Sequence, residues 1–110
     1  MTEVRLTPVK HIEVHLGGAK IVDTTRGYVV HEGSLPPRYY VPREDVEAQL
    51  TDSTGGKCPW KGTWKHLDLE AHGKQVKHAA WTYFETTPVC DPIRDFIAFY
   101  PNQVDKLVVD

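Results

Sequence analysis

The stretch Thr63-Trp64-Lys65-His66-Leu67-Asp68-Leu69-Glu70, followed by Ala71-His72-Gly73-Lys74 and then Gln75-Val76-Lys77-His78-Ala79-Ala80-Trp81-Thr82-Tyr83-Phe84, reads as two strands and the turn between them. Leu67 and Leu69 fall on one face of the first arm, and a polar turn sequence breaks the run before the second. This is the clearest hairpin in the chain, and it points to a domain built from antiparallel strands.

Upstream, Lys10 to Leu16 alternates, with Ile12, Val14 and Leu16 on one face and His11, Glu13 and His15 on the other. Gly17-Gly18 is a second hairpin turn, Ala19 to Thr24 is the returning strand, and Tyr28-Val29-Val30-His31 is a third strand after Gly27. Arg38-Tyr39-Tyr40-Val41 is extended, because Pro42 disfavours the helical region for Val41. Pro42 can open a short helix through Arg43-Glu44-Asp45-Val46-Glu47-Ala48, with Val46 and Leu50 on one face. Thr51 to Lys57 reads as a polar, glycine-containing loop.

Downstream, Pro88 and Pro92 frame a connection. Ile93, Phe96, Ile97 and Tyr100 recur at helical spacing, while Phe96 to Tyr100 fits a buried strand equally well. Leu107-Val108-Val109 is a final strand. Many short strands with one or two short helices imply a mainly β, α+β domain.

The chain of 110 residues, with 13 Lys+Arg, 15 Asp+Glu and 40% hydrophobic residues, fits one domain over residues 1–110. A formal charge of -2 lacks the electrostatic footprint of a general nucleic-acid binder. The distribution is uneven: Lys57, Lys61, Lys65, Lys74 and Lys77 make the middle locally basic, and the tail is acidic. No apolar run approaches the roughly 20 residues of a membrane span, and Met1-Thr2-Glu3-Val4-Arg5 lacks the layout of a signal peptide, so a cytoplasmic protein is expected. Three Trp, three Phe and five Tyr are a large aromatic supply for so small a core, which leaves rings either to fill that core or to line a concave site.

Cys58 and Cys90 form no C-x-x-C pair and cannot alone make a thiolate zinc site. His11 and His15 share a strand face, but four residues along a strand span about 13 Å, too far for both to hold one ion. His66 and His78 lie on opposite arms of the main hairpin and fit cross-strand neighbours. No structural metal and no cofactor are expected. Cys58, flanked by Lys57 and Lys61, is a weak candidate nucleophile if His66 or His78 can serve as its base; the alternative is a small, half-buried core thiol. Asp52-Ser53-Thr54-Gly55-Gly56-Lys57 lacks the spacing of a phosphate loop. Arg43 stands at a helix start, where backbone N–H groups also favour anions, although a surface pair with Asp45 or Glu47 is the more common use of such a residue.

Taken together, Pro36-Pro37-x-Tyr39-Tyr40-x-Pro42-Arg43-Glu44-Asp45-Val46, Cys58-Pro59-x-Lys61-Gly62, Ala79-Ala80-Trp81-x-Tyr83, Ile93, Ala98-Phe99-Tyr100 and Val104-Asp105 resemble the family catalogued as domain of unknown function 427. The likeness runs from about Val9 to Asp110. It implies two antiparallel sheets in a tent-like arrangement with short helices at the edges. It carries over motif positions Tyr40, Pro42, Arg43, Asp45, Cys58, Lys61, Gly62, Trp81, Tyr83 and Tyr100. Trp64 departs from the pattern, standing where members more often have tyrosine or another residue. The family's label places it near nucleotidyltransferases.

Such residues would make a pocket with Tyr40, Trp64, Trp81 and Tyr83 as walls and Arg43 and Lys61 as anchors for a small anionic or aromatic molecule. Two further readings stay open. One is an enzyme of transferase type, nucleotidyltransferase-like or dependent on Cys58. The other is a structural interaction domain whose exposed rings meet in a homodimer; the expected state is a monomer or a weak homodimer. Trp81 is expected to be largely buried on the second arm of the hairpin.

Overall fold

The alternation of Ile12, Val14 and Leu16 builds a strand whose inward face is fully covered, each of the three being 0% exposed. The computed structural model describes residues 3–110, in which ten strands follow one another: β1 (Val4–Val9), β2 (Ile12–Leu16), β3 (Ala19–Thr24), β4 (Gly27–Glu32), β5 (Arg38–Val41), β6 (Gln49–Cys58), β7 (Gly62–Ala71), β8 (Lys74–Thr86), β9 (Ile97–Phe99) and β10 (Lys106–Val109). They form two antiparallel sheets, one of seven strands in the order β1-β4-β5-β9-β8-β7-β6 and one of three in the order β10-β2-β3. The domain is mainly β, and its short helical pieces are 3-10 turns at Arg43–Asp45, Pro88–Ile93 and Pro101–Gln103. No helix among the described residues is long and apolar enough to cross a membrane.

The large sheet is covered on both faces. On one, Ile12, Val14, Leu16, Ile21 and Val22 of the small sheet pack against Val41, Leu67, Leu69, Ala80, Ile97 and Phe99. On the other, Val30, Tyr40, Trp81, Tyr83 and Ala98 form a second cluster that Cys90 and Ile93 of the Pro88–Ile93 turn close over. Strand alternation separates the two sets, since neighbouring residues point to opposite faces. Trp81 is 8% exposed, as the hairpin reading required.

The main hairpin folds as read, with Ala71 opposite Lys74 across its turn. Phe96 to Tyr100 resolves as the buried strand β9 rather than a helix. Three segments differ from the reading. The helix expected through Ala48 stops after one 3-10 turn, because Val46 is already extended (φ -93, ψ 115) and bridges to Val22. The polar stretch 51–57 is part of β6, an edge strand, and so has no buried face to advertise. At Gly55 the backbone of β7 comes so close that a Cβ would lie 2.0 Å from the Trp64 carbonyl oxygen, so glycine is needed for pairing rather than for a loop. Finally, β1 is a further strand, and it holds Pro8 at the sheet edge, where the missing N–H breaks no ladder.

Candidate functional site

The second face of the large sheet is left open beyond the Pro88–Ile93 turn, and there Arg38, Lys61, Trp64, Trp81, Tyr83 and Tyr100 line a cleft of about 270 Å³. Register explains the grouping. Trp64 pairs with Tyr83 and His66 with Trp81 across β7 and β8, and Trp81 pairs with Ala98 on β9. Residues opposite one another point to the same face, so rings distant in sequence form one wall.

The floor is rigid. The Trp81 and Tyr100 ring centroids are 4.4 Å apart. Behind Trp81 lies Tyr40, 0% exposed and in edge-on contact with the indole. Tyr40 therefore supports the cleft and does not line it, contrary to its place among the expected walls. Burial pushes the hydroxyls of both Tyr40 and Tyr83 well above the ordinary tyrosine range, so both stay protonated.

The cations divide the work unequally. Lys61 Nζ is 2.5 Å from Glu32 Oε1, with both side chains only 13% exposed, and 5.1 Å from the centre of the Tyr83 ring. Glu32 also accepts a hydrogen bond from Trp60 Nε1 at 2.6 Å. Burial pushes the Glu32 carboxyl up, but the hydrogen bonds from Lys61 and Trp60 outweigh it and hold the group below its usual value. Lys61 is thus neutralised in place. Arg38 is different: its guanidinium carbon is 5.7 Å from the Trp81 ring centre and 5.8 Å from that of Tyr100, and no carboxylate among the described residues pairs with it.

Arg43 does not converge on this cleft. It is exposed on the 3-10 turn after β5. The neighbouring Asp45 is engaged by Thr24 and Arg26, not by Arg43. Arg38, absent from the residues expected at the site, lines the cleft instead, and its signal is in the sequence: in Arg38-Tyr39-Tyr40-Val41 it shares a strand face with Tyr40. The helix start expected at Arg43 amounts to a single 3-10 turn.

Cys58 is half-buried, and its polar neighbour is the Tyr83 hydroxyl. Neither histidine reaches it. His66 and His78 are indeed neighbours, with stacked rings 4.5 Å apart and 11° from parallel. His66 Nε2 is 3.1 Å from the Tyr100 hydroxyl, while its buried Nδ1 has no hydrogen-bond partner among the described residues. His78 Nε2 is 2.8 Å from Ser53 Oγ. Burial, and then the nearby His78, lower the pKa of His66 and favour its neutral form. The cleft therefore offers a free guanidinium, flat apolar walls and neutral polar groups, which is the chemistry of binding an anion with a planar body.

Residues 5–110 match the family model described as Domain of unknown function (DUF427). No curated protein matches the chain.

Proposed function

The chain belongs to the DUF427 family, and on that footing we propose that it binds a small anionic molecule with an aromatic or otherwise planar portion in the cleft over Trp81 and Tyr100. The observation that carries this reading is Arg38, a cation held over two rings with no carboxylate partner among the described residues. Its planar fork suits a carboxylate or phosphate, and the rings of Trp64, Trp81 and Tyr100 suit the attached flat body. Lys61, paired with Glu32, borders the cleft without being the grip. The separation of Cys58 from both histidines favours binding over a Cys58-dependent transferase.

Tryptophan fluorescence and calorimetry with benzoate, inorganic phosphate and a nucleoside monophosphate test the reading. Saturable binding of at least one planar anion is expected, weakened about tenfold or more by both Arg38→Ala and Arg38→Lys, because lysine keeps the charge and loses the fork. Arg43→Ala should leave affinity unchanged. Equal affinities of wild type and Arg38→Ala, or no binding of any planar anion, would overturn it.

A further inference from the structure

The solvent face of the small sheet carries a second concentration of chemistry, remote in kind from the aromatic cleft. Glu13 on β2 and Asp23 on β3 are direct cross-strand partners. Two carboxylates opposite one another repel unless a cation lies between them. His11, just before β2, points its Nε2 into the same place, 2.6 Å from Asp23 Oδ1 and 3.7 Å from Glu13 Oε2. One ligand atom from each of His11, Glu13 and Asp23 lies within 4.8 Å of the others.

We propose that His11 Nε2 and the carboxylates of Glu13 and Asp23 form a binding site for a divalent transition-metal ion. Ligand atoms around a tetrahedral ion bound at about 2.0–2.2 Å lie roughly 3.3–3.6 Å apart, so the 3.7 Å between His11 Nε2 and Glu13 Oε2 is near that spacing, and the 2.6 Å hydrogen bond between His11 Nε2 and Asp23 Oδ1 must open by about 1 Å through side-chain rotation as the ion enters. An imidazole with two carboxylates selects zinc, cobalt or manganese over calcium. Three protein ligands leave the remaining positions to water or an anion.

The groups around the three ligands are those a metal site needs. His11 Nδ1 is 3.1 Å from Asp110 Oδ2, so a carboxylate at the end of the chain turns the ring and leaves Nε2 for the ion. His15 Nε2 is 3.2 Å from Glu13 Oε1 and steadies that carboxylate through its other oxygen. His15 thus acts as a positioning residue, which agrees with the strand spacing that keeps the two histidines from sharing an ion. Lys20 Nζ, 2.9 Å from Asp23 Oδ2 and 3.8 Å from Glu13 Oε1, is the competing cation that the metal would displace.

The experiment is titration of the untagged chain with Zn(II), followed by calorimetry, and with Co(II), followed by visible absorption. One equivalent should bind. His11→Ala and Glu13→Gln should each weaken binding at least tenfold, Asp110→Asn about tenfold, and Lys20→Met should tighten it several-fold. His72→Asn, in the exposed turn of the main hairpin, is the control and should bind as wild type does. Asp110→Asn alters only an exposed side chain, so it carries the test if His11→Ala impairs folding. Absence of stoichiometric binding, indifference to Asp110→Asn and Glu13→Gln, or loss only when His66 or His78 is replaced would overturn the proposal.

Discussion

The indole N–H of Trp81 donates a hydrogen bond to the hydroxyl of Tyr40 at 2.9 Å, with the two rings at 89° to one another. Through it a fully buried residue on β5 sets the orientation of a ring on β8 that forms the cleft floor. Tyr40→Phe would remove the acceptor and strand a buried donor, at a cost of about 1–3 kcal/mol. Trp81→Ala should cost about 3–5 kcal/mol. Urea denaturation of both variants checks the order, and a Tyr40→Phe midpoint equal to wild type would show that the indole N–H finds another partner.

Glu32 gives the fold an acid-sensitive element. Its folded-state pKa lies below the ordinary value of 4.5, so its contribution to stability is complete above about pH 4.5 and is lost as pH falls through the lower folded-state value. Glu32→Gln should destabilise the protein at pH 7 by about 2 kcal/mol, since it leaves the ammonium of Lys61 in a partly dry site with a weaker partner. The difference between the two proteins should shrink steadily below pH 4.5. Parallel stability curves from pH 6 down to pH 3 would refute the role given to this pair.

At Gly62 the backbone adopts φ +134, and an added Cβ would lie 2.0 Å from the Glu85 carbonyl oxygen. Gly62→Ala should therefore cost about 3 kcal/mol or more, and it should also shift the adjacent Lys61 away from Glu32. Gly18→Ala, with no atom within 4 Å of its added Cβ, should cost less despite its own positive φ. Thermal melts of the two variants side by side decide the comparison.

The two thiols should react in a fixed order. Cys90 is 0% exposed, and burial pushes its thiol pKa up, so it should resist iodoacetamide until the protein unfolds. Cys58, half-buried at the end of β6, should be alkylated first. Mass mapping after limited alkylation reads this directly, and equal rates at both positions would count against the packing of the Pro88–Ile93 turn.

Periodicity made the buried halves of the fold legible. Ile12, Val14 and Leu16, or Leu67 and Leu69, announce their faces because one side is dry and the other wet. Where a strand has no such contrast, as in β6 with its run Thr51-Asp52-Ser53-Thr54-Gly55-Gly56-Lys57, the pattern carries no strand signal and composition suggests a loop. Lys61, Trp81 and Tyr83, which share one cleft, stand in the motif blocks, and Trp64, which departs from them, joins the cleft through its cross-strand pairing with Tyr83. The strand face that Arg38 shares with Tyr40 is visible in the sequence, but its place over Trp81 and Tyr100 is not, because it depends on which strand lies beside β9, and the pairing of Tyr40 with Ala98 leaves no mark in local sequence.

Both sheets join strands far apart in the chain: β5 pairs with β9 through Tyr40–Ala98 and Val41–Ile97, and β2 pairs with β10 from Val14–Leu107 to Ile12–Val109. During synthesis, the first strands leave the ribosome long before their neighbours exist, so neither sheet can be completed until nearly all of the chain has emerged. Such long loops must close before their contacts repay the lost entropy, which makes folding slow and late. A nascent chain halted before Phe96 would hold β5 with one edge bare, a surface that a chaperone would need to shield.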